Sequence, residues 1–239
     1  MRSEPGRRET EPVTLPVENF ADRLRRASGE FQGKGPSEAL RRAGVLALAF
    51  VVLSVLVAQS ATQTADRQIL DLAQSLASYP FDVVASLVTL LGEFEITGTV
   101  ALALALVGWR RDGIRGLVPL LLFVGVALEV GLKYCLPHPT PPAEFMRGLQ
   151  FLPSFQLAPP YSFPSGHVLR TTFLVALIGE RRPRWRACCW ALVVAMAGTR
   201  LYLNEHWLSD VVGGLLLGLM LAAVAAAIDS GTSTHQRGI

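Results

Sequence analysis

The sequence is short of cysteine and, for its length, of charge. Its three cysteines, Cys135, Cys188 and Cys189, are too few and too unevenly placed to form a disulfide framework, so no stapled secreted scaffold is implied. Charged residues make up 17% of the 239, against about a quarter in an ordinary soluble domain. So little charge beside so much apolar residue rules out disorder, and the composition fits neither a collagen-like nor a coiled-coil chain. Hydrophobic residues account for 51% and the mean hydropathy is +0.38. Six helices of roughly 20 residues would need about half the chain, which is what a bundle crossing a bilayer requires.

Long charge-free runs bear this out. Ala43–Ala65 and Val211–Ile228 carry no charge for 23 and 18 residues, and both read as transmembrane helices on length alone. Shorter apolar segments at 94–109, 116–133, 165–179 and 187–203 bring the expectation to six spans. Phe81–Leu91 places Phe81, Val84, Leu87, Val88 and Leu91 on one helical face. At 11 or so residues it is too short to span, and it reads as a short interfacial helix. The expected fold is all-α: an integral membrane bundle of six transmembrane helices plus that helix, over residues 43–228. Residues 1–42 are expected to be a flexible cytoplasmic extension and 229–239 a cytoplasmic tail.

The basic residues test this segmentation. Nine of the 22 Lys and Arg lie in residues 1–42, interleaved with seven acids. Three more stand at Arg110, Arg111 and Arg115, four between Arg181 and Arg186, and one at Arg237. Seventeen thus fall on one side of the membrane, and the excess marks that side as cytoplasmic, with both termini on it. Arg67, Lys133, Arg147 and Arg200 fall on the other side, and Arg170 falls inside a span. No basic patch with interleaved aromatics remains for nucleic acid, so the pI near 9.0 is a topology signal. The 42 residues ahead of the first apolar run argue against a secretory leader.

A bilayer should exclude Glu129, Lys133, Ser165, His167, Arg170, Arg200, His206 and Asp210 unless they are paired or face water, which makes them functional candidates. They cluster at the outer ends of their spans. Lys133 and Arg200 are fixed cations suited to an anion with several oxygens. Pro164-Ser165-Gly166-His167 opens a helix whose free N–H groups and positive end suit a phosphate. His206 and Asp210 lie one helical turn apart, so the carboxylate can take one imidazole N–H and leave the other ring nitrogen free to attack. His167 can then protonate the leaving oxygen. The chemistry this describes is phosphoryl transfer through a histidine. Taken singly, each residue has a plainer reading: an edge lysine snorkels, and a His-x3-Asp pair caps a helix or binds a metal. Their conjunction at one depth favours catalysis.

These residues resemble the type 2 phosphatidic acid phosphatase family, integral-membrane lipid phosphatases that share a helical core with the vanadium haloperoxidases. The family pattern is Lys-x6-Arg-Pro, Pro-Ser-Gly-His and Ser-Arg-x5-His-x3-Asp. The second motif is complete at residues 164–167. The third is Thr199-Arg200, His206 and Asp210, with Ser exchanged for Thr. The first is Lys133 followed by Thr140-Pro141, so its arginine is absent; Thr140 supplies neither the charge nor the bidentate fork. The resemblance implies that Lys133, Ser165, the Gly166 backbone and Arg200 bind phosphate, that His206 is the nucleophile oriented by Asp210, and that His167 is the acid. It implies no metal and no organic cofactor.

His138 and Arg170 are the nearby cations that could replace the missing arginine, with Arg170 expected to pair with Glu129 and brace two spans. Glu144 and Arg147 read as solvated loop charges, and Glu93 and Glu95 as interfacial. The proline- and aromatic-rich segment Tyr134–Phe163 reads either as a partly ordered lid at the lipid entrance or as a plain connector. The implied activity is hydrolysis of a lipid phosphate or diphosphate from the outer leaflet of the plasma membrane. Polyprenyl diphosphate, phosphatidylglycerol phosphate and phosphatidic acid fit equally. A lipid phosphotransferase using the same histidine and a non-catalytic lipid-phosphate binder or transporter are the alternatives. Oligomeric state is not readable from the sequence.

Overall fold

A computed structural model of the chain describes residues 36–151 and 158–230. The described residues are all-helical. Eight α-helices follow one another: α1 Pro36–Ala58, α2 Gln63–Gln74, α3 Tyr79–Thr89, α4 Phe94–Asp112, α5 Leu121–Cys135, α6 Gly166–Arg181, α7 Arg186–Tyr202 and α8 Leu208–Ser230. Short 3-10 turns at Leu90–Gly92 and Gly113–Leu120 lead into α4 and α5. Most of the expected cytoplasmic extension (1–35), residues 152–157 between α5 and α6, and residues 231–239 lie outside the described residues.

Helices occupy all six segments expected to span, with shifted ends. The first run, expected over 43–65, is helical over Pro36–Ala58. A charge-free window reports where charges are missing, not where a helix starts. Pro36, with its fixed φ and no N–H to satisfy, opens the helix, and Glu38 pairs with Arg42 one turn on at 3.2 Å. The far end closes where Ser60 takes a positive φ of 59°. Likewise α5 begins at Leu121, five residues later than the apolar run, because the 113–120 stretch is wound as a 3-10 turn around Pro119. The expected interfacial helix is α3, running into the Leu90–Gly92 turn.

Three stretches, Pro36–Ala58, Tyr79–Cys135 and Leu208–Ser230, are long and apolar enough to cross a membrane. α1 makes the point physically: Val45, Leu48 and Val51 are 63%, 65% and 55% exposed, a greasy face that only lipid or another protein would cover.

α6 is the buried centre. α7 and α8 pack on it, α1 packs on α8, and α5 closes the other flank. Phe163, Leu169, Phe173, Leu122 and Leu217 form the core between them, with the Phe50 ring stacked on Phe163 at 5.6 Å between centroids. α6 and α8 come close because Gly218 has no side chain; a Cβ there would lie 2.7 Å from the Leu169 carbonyl oxygen. That close packing places the N-terminal ends of α6 and α8 side by side, and the Ser165 N–H donates to the Asp210 carbonyl at 2.9 Å.

Candidate active site

Two carboxylates organise the polar end of the bundle. Glu129 and Lys133 lie one turn apart on α5, and Lys133 Nζ donates to Glu129 Oε1 at 2.9 Å. From α6, Arg170 Nη1 donates to the other oxygen of Glu129 at 3.0 Å. The expected Glu129–Arg170 pair is therefore present, and it joins α5 to α6. Arg170 Nε and Nη2 both donate to the Gly92 carbonyl, at 3.1 and 2.9 Å. All three guanidinium nitrogens are engaged, through three of the five N–H groups, which makes Arg170 a brace between α5, α6 and the Leu90–Gly92 turn. Gly166 is required at the start of α6, since a Cβ there would run into the Glu129 carboxylate.

Asp210 is the second carboxylate, fully buried in the first turn of α8. Its Oδ2 accepts from His206 Nδ1 at 3.0 Å and from the Trp207 backbone N–H at 2.9 Å. The His-x3-Asp spacing thus caps the helix and orients the imidazole at once. Because Nδ1 is committed to Asp210, Nε2 is the ring nitrogen left to act. His206 lies in the turn between α7 and α8, outside the apolar stretches. Its burial, with the positive charges of Lys133, Arg200 and Arg170 nearby, holds its pKa well below the ordinary imidazole value despite the opposing charge of Glu129. A neutral ring is the form that carries a free electron pair.

Arg200, at the C-terminal end of α7, is buried and bonds to the Thr89 hydroxyl and the Glu205 carboxylate. Its Nε, the Ser165 hydroxyl and His167 Nε2 are buried without a hydrogen-bond partner among the described residues. Three unsatisfied donors at one end of a bundle are costly unless something binds there. His167 Nε2 lies 3.5 Å from Glu93 Oε1, beyond hydrogen-bonding reach. Lys133, Ser165, Gly166, His167, Arg200, His206 and Asp210 therefore gather where α5 and α7 end and α6 and α8 begin. Thr140 does not join them in a hydrogen bond; it is exposed in the segment between α5 and α6.

Several residues fall elsewhere than the sequence suggested. His138 faces Asp210: its Nε2 lies 3.2 Å from Ser209 Oγ and 3.5 Å from Asp210 Oδ1. Glu93, expected at an interface, stands beside His167. Arg147 is not a solvated charge. It donates to the Tyr202 carbonyl at 2.8 Å, lies 3.4 Å from Asp82 and covers the Tyr202 ring at 4.5 Å, tying the segment between α5 and α6 to α7. Glu144 is exposed as expected. The loop is fastened further by Trp207 Nε1 to the Pro139 carbonyl and Asn204 Nδ2 to the Pro142 carbonyl, both at 2.7 Å.

Sequence reasoning missed Asp66, Glu205 and α2. Asp66 is buried, and its two oxygens accept from the Ser209 backbone N–H at 2.8 Å and the Ser209 hydroxyl at 2.9 Å. The available signal was the spacing Asp66, Leu70 and Gln74 on one helical face directly after the first apolar run. Gln74 Nε2 in turn donates to the Leu201 and Tyr202 carbonyls at the end of α7, each at 3.1 Å.

An apolar helical bundle that gathers fixed cations, two histidines and a buried His–Asp pair at converging helix ends has the character of a membrane protein whose polar end is suited to an anion. Residues 115–231 match the PAP2 superfamily. It is 34% identical over 137 residues to YbjG of Escherichia coli (strain K12), provisionally named an undecaprenyl-diphosphatase; the match covers 54% of this chain and 66% of that protein. It is 32% identical over 85 residues to an undecaprenyl-diphosphatase of Sulfolobus acidocaldarius, covering 33% of this chain and 40% of the relative. The chain thus matches just under two thirds of the first relative's length and two fifths of the second's. The fold is similar to that of a transmembrane PAP2-type phosphatidylglycerolphosphate phosphatase from Bacillus subtilis, with a TM-score of 0.65 and 22% identity over 80% of this chain and 96% of that one.

Proposed function

We propose that this protein is a membrane lipid phosphatase that hydrolyses a lipid phosphate or diphosphate through a phosphohistidine. The observation that carries the reading is the His206–Asp210 pair, 3.0 Å apart and buried, which fixes Nδ1 as donor and leaves Nε2 free beside Lys133 and Arg200. Nε2 attacks phosphorus, the bond from phosphorus to the leaving oxygen breaks, and His167 gives that oxygen its proton. Water then attacks the phosphohistidine, His167 takes its proton, and phosphate leaves with His206 restored. Lys133, Arg200, the Ser165 hydroxyl and the N-terminal end of α6 stabilise the charge on the phosphoryl oxygens.

Six spans, with both termini cytoplasmic and the site facing the outer leaflet of the plasma membrane, complete the reading; the distribution of Lys and Arg supports it. Residues 43–228 form the catalytic domain, with the flanking segments as cytoplasmic extensions. The names of both relatives favour a polyprenyl diphosphate as substrate, with phosphatidylglycerol phosphate and phosphatidic acid as the next to test. The outer loop, tied down at Pro139, Pro142 and Arg147, borders lipid entry.

Phosphate release by the purified protein from undecaprenyl diphosphate, phosphatidylglycerol phosphate and phosphatidic acid in mixed micelles tests the assignment. Release from at least one lipid, abolished by His206→Ala, is the expected result. Release that survives His206→Ala sinks the mechanism, and no release from any lipid sinks the enzyme assignment. Transfer of phosphate to an added lipid alcohol in place of water would identify a phosphotransferase.

A further inference from the structure

Asp210 has two oxygens, and the reading above uses only one. The other, Oδ1, faces His138 Nε2 at 3.5 Å. His138 sits outside the helices, in the outer loop, yet it is 5% exposed. Its ring stands edge-on to Phe163 and tilted against Trp207, each with centroids 6.4 Å apart. The His138 carbonyl accepts from the Ser162 N–H at 3.0 Å and the Ser162 hydroxyl at 3.2 Å, and the next residue's carbonyl holds the Trp207 indole. Backbone and ring are both fixed.

The hydrogen-bond chain behind it assigns the proton. An ionised carboxylate only accepts, so Asp66 takes the Ser209 N–H on one oxygen and the single Ser209 hydroxyl proton on the other. Ser209 Oγ, its proton spent, can only accept from His138 Nε2 at 3.2 Å. Nε2 therefore carries hydrogen toward Ser209, and Asp210 Oδ1, 3.5 Å away and without a hydrogen-bond partner among the described residues, meets that N–H face electrostatically. Asp66 on α2 thus sets, through Ser209, which face of His138 the Asp210 carboxylate meets.

Resting on the assignment of His206 as nucleophile, we propose that His138 is a positioning residue: it holds Asp210 from behind, so that the carboxylate orienting His206 is clamped between two imidazoles, with Asp66 and Ser209 locking the clamp. His138 acts through Asp210 and touches no phosphate. Its place in the loop also makes the segment that borders the site part of the catalytic alignment. Loss of the clamp lets the carboxylate turn, and misplacement of about 1 Å at a reacting group costs on the order of 100-fold in rate.

The test uses the full chain in mixed micelles, with undecaprenyl diphosphate as substrate and orthovanadate as a phosphate mimic. His138→Ala should lower kcat by about 10–100-fold, with KM and the vanadate inhibition constant within about twofold of wild type. His138→Gln, whose amide can donate from near the Nε2 position, should recover most of the rate, and Ser209→Ala should lose part of it. In an Asp210→Ala background, His138→Ala should cost nothing further, since the two act in series. Unchanged kcat in His138→Ala, full additivity with Asp210→Ala, or a tenfold weaker vanadate inhibition with kcat intact would each overturn the proposal; the last would make His138 a phosphate ligand. Should His138→Ala not elute as a folded protein, His138→Gln and Ser209→Ala decide. A dead His206→Ala beside a fully active His138→Ala refutes this inference alone, whereas a fully active His206→Ala refutes the reading of the site on which it rests.

Discussion

Glu129 and Asp210 are both buried carboxylates at the same end of the bundle, and each is held between two basic side chains. The partners differ in kind. Glu129 lies between Lys133 and Arg170 at 2.9 and 3.0 Å, groups that only donate. Asp210 lies between His206 and His138 at 3.0 and 3.5 Å, imidazoles that can donate from one ring nitrogen and keep a lone pair on the other. The first arrangement suits architecture, an ionic joint between α5 and α6 that also holds a lysine in place. The second suits chemistry, where a ring must keep one nitrogen fixed and lend electrons from the other. Breaking each carboxylate in turn should separate the two roles.

The largest effect belongs to Asp210. Asp210→Asn preserves shape but removes the charge and turns one acceptor oxygen into an amide donor, so the His206 tautomer is no longer fixed, and a comparable change in a Ser-His-Asp triad is worth about 10⁴-fold in kcat. Phosphate release should fall by at least about 10³-fold, while thermal unfolding moves little. A variant that retains a tenth of its activity would refute the orienting role.

Glu129→Ala should show the reverse emphasis. It strands two buried cations, and breaking a buried ion pair costs about 3–5 kcal/mol, which a lowered unfolding midpoint in detergent would report. Arg170→Ala frees the Gly92 carbonyl as well, so it too is destabilising. The double variant should cost less than the sum of the two, with a coupling of about 1 kcal/mol or more. Additive losses would mean that the 3.0 Å contact carries no energy.

The titratable side of the comparison predicts a pH profile. Burial and the charges of Lys133 and Arg200 depress the His206 pKa below 6.5, and the neutral, nucleophilic ring exists above that pKa. The acid limb of kcat/KM, which reports the free enzyme, should therefore lie below pH 6.5. Lys133→Gln removes one depressing charge and should move the limb upward toward 6.5 on the same substrate. A limb unmoved by that change would take Lys133 out of the electrostatic environment of His206.

A severalfold effect is expected at Glu205, whose carboxylate pairs with Arg200. An incoming phosphate competes for the same guanidinium. Glu205→Gln weakens the competitor, so KM for the lipid phosphate should fall while kcat stays near wild type. A raised KM would instead mean that Glu205 holds Arg200 in its binding pose.

What could be read from the sequence follows the range of the interactions involved. Lys133, Ser165, His167, Arg200, His206 and Asp210 were legible because their motifs are local, set by one turn of helix or by a helix start, and the Glu129–Arg170 pair followed from equal depth on two helices. Helix ends were less legible. Lack of charge marks neither the proline that opens α1 nor the positive-φ Ser60 that follows it. Asp66 was not legible at all: its bond to Ser209 spans 143 residues, and in Thr-Ala-Asp-Arg-Gln it looks like any exposed helix charge. Glu93 and Glu205 were hidden for the same reason, since a carboxylate beside an apolar run reads as interfacial until its partner helix is placed.

Arg147 carries the smallest expected effect, and it sharpens the comparison by lying outside both carboxylate clusters. It too has an acidic partner, Asp82 at 3.4 Å, but the pair is partly exposed, with side chains 20% and 15% accessible. Solvent screens such a pair, so its ionic part is worth no more than about 1 kcal/mol. The stacking over Tyr202 adds on the order of 0.5–1 kcal/mol. Arg147→Lys keeps the charge and loses the planar fork that both covers the ring and reaches the Tyr202 carbonyl. It should therefore lower stability by about 1 kcal/mol and leave kcat and the pH profile untouched. If kcat falls tenfold in Arg147→Lys, the outer loop is coupled to the reacting groups through α7 as well as through His138.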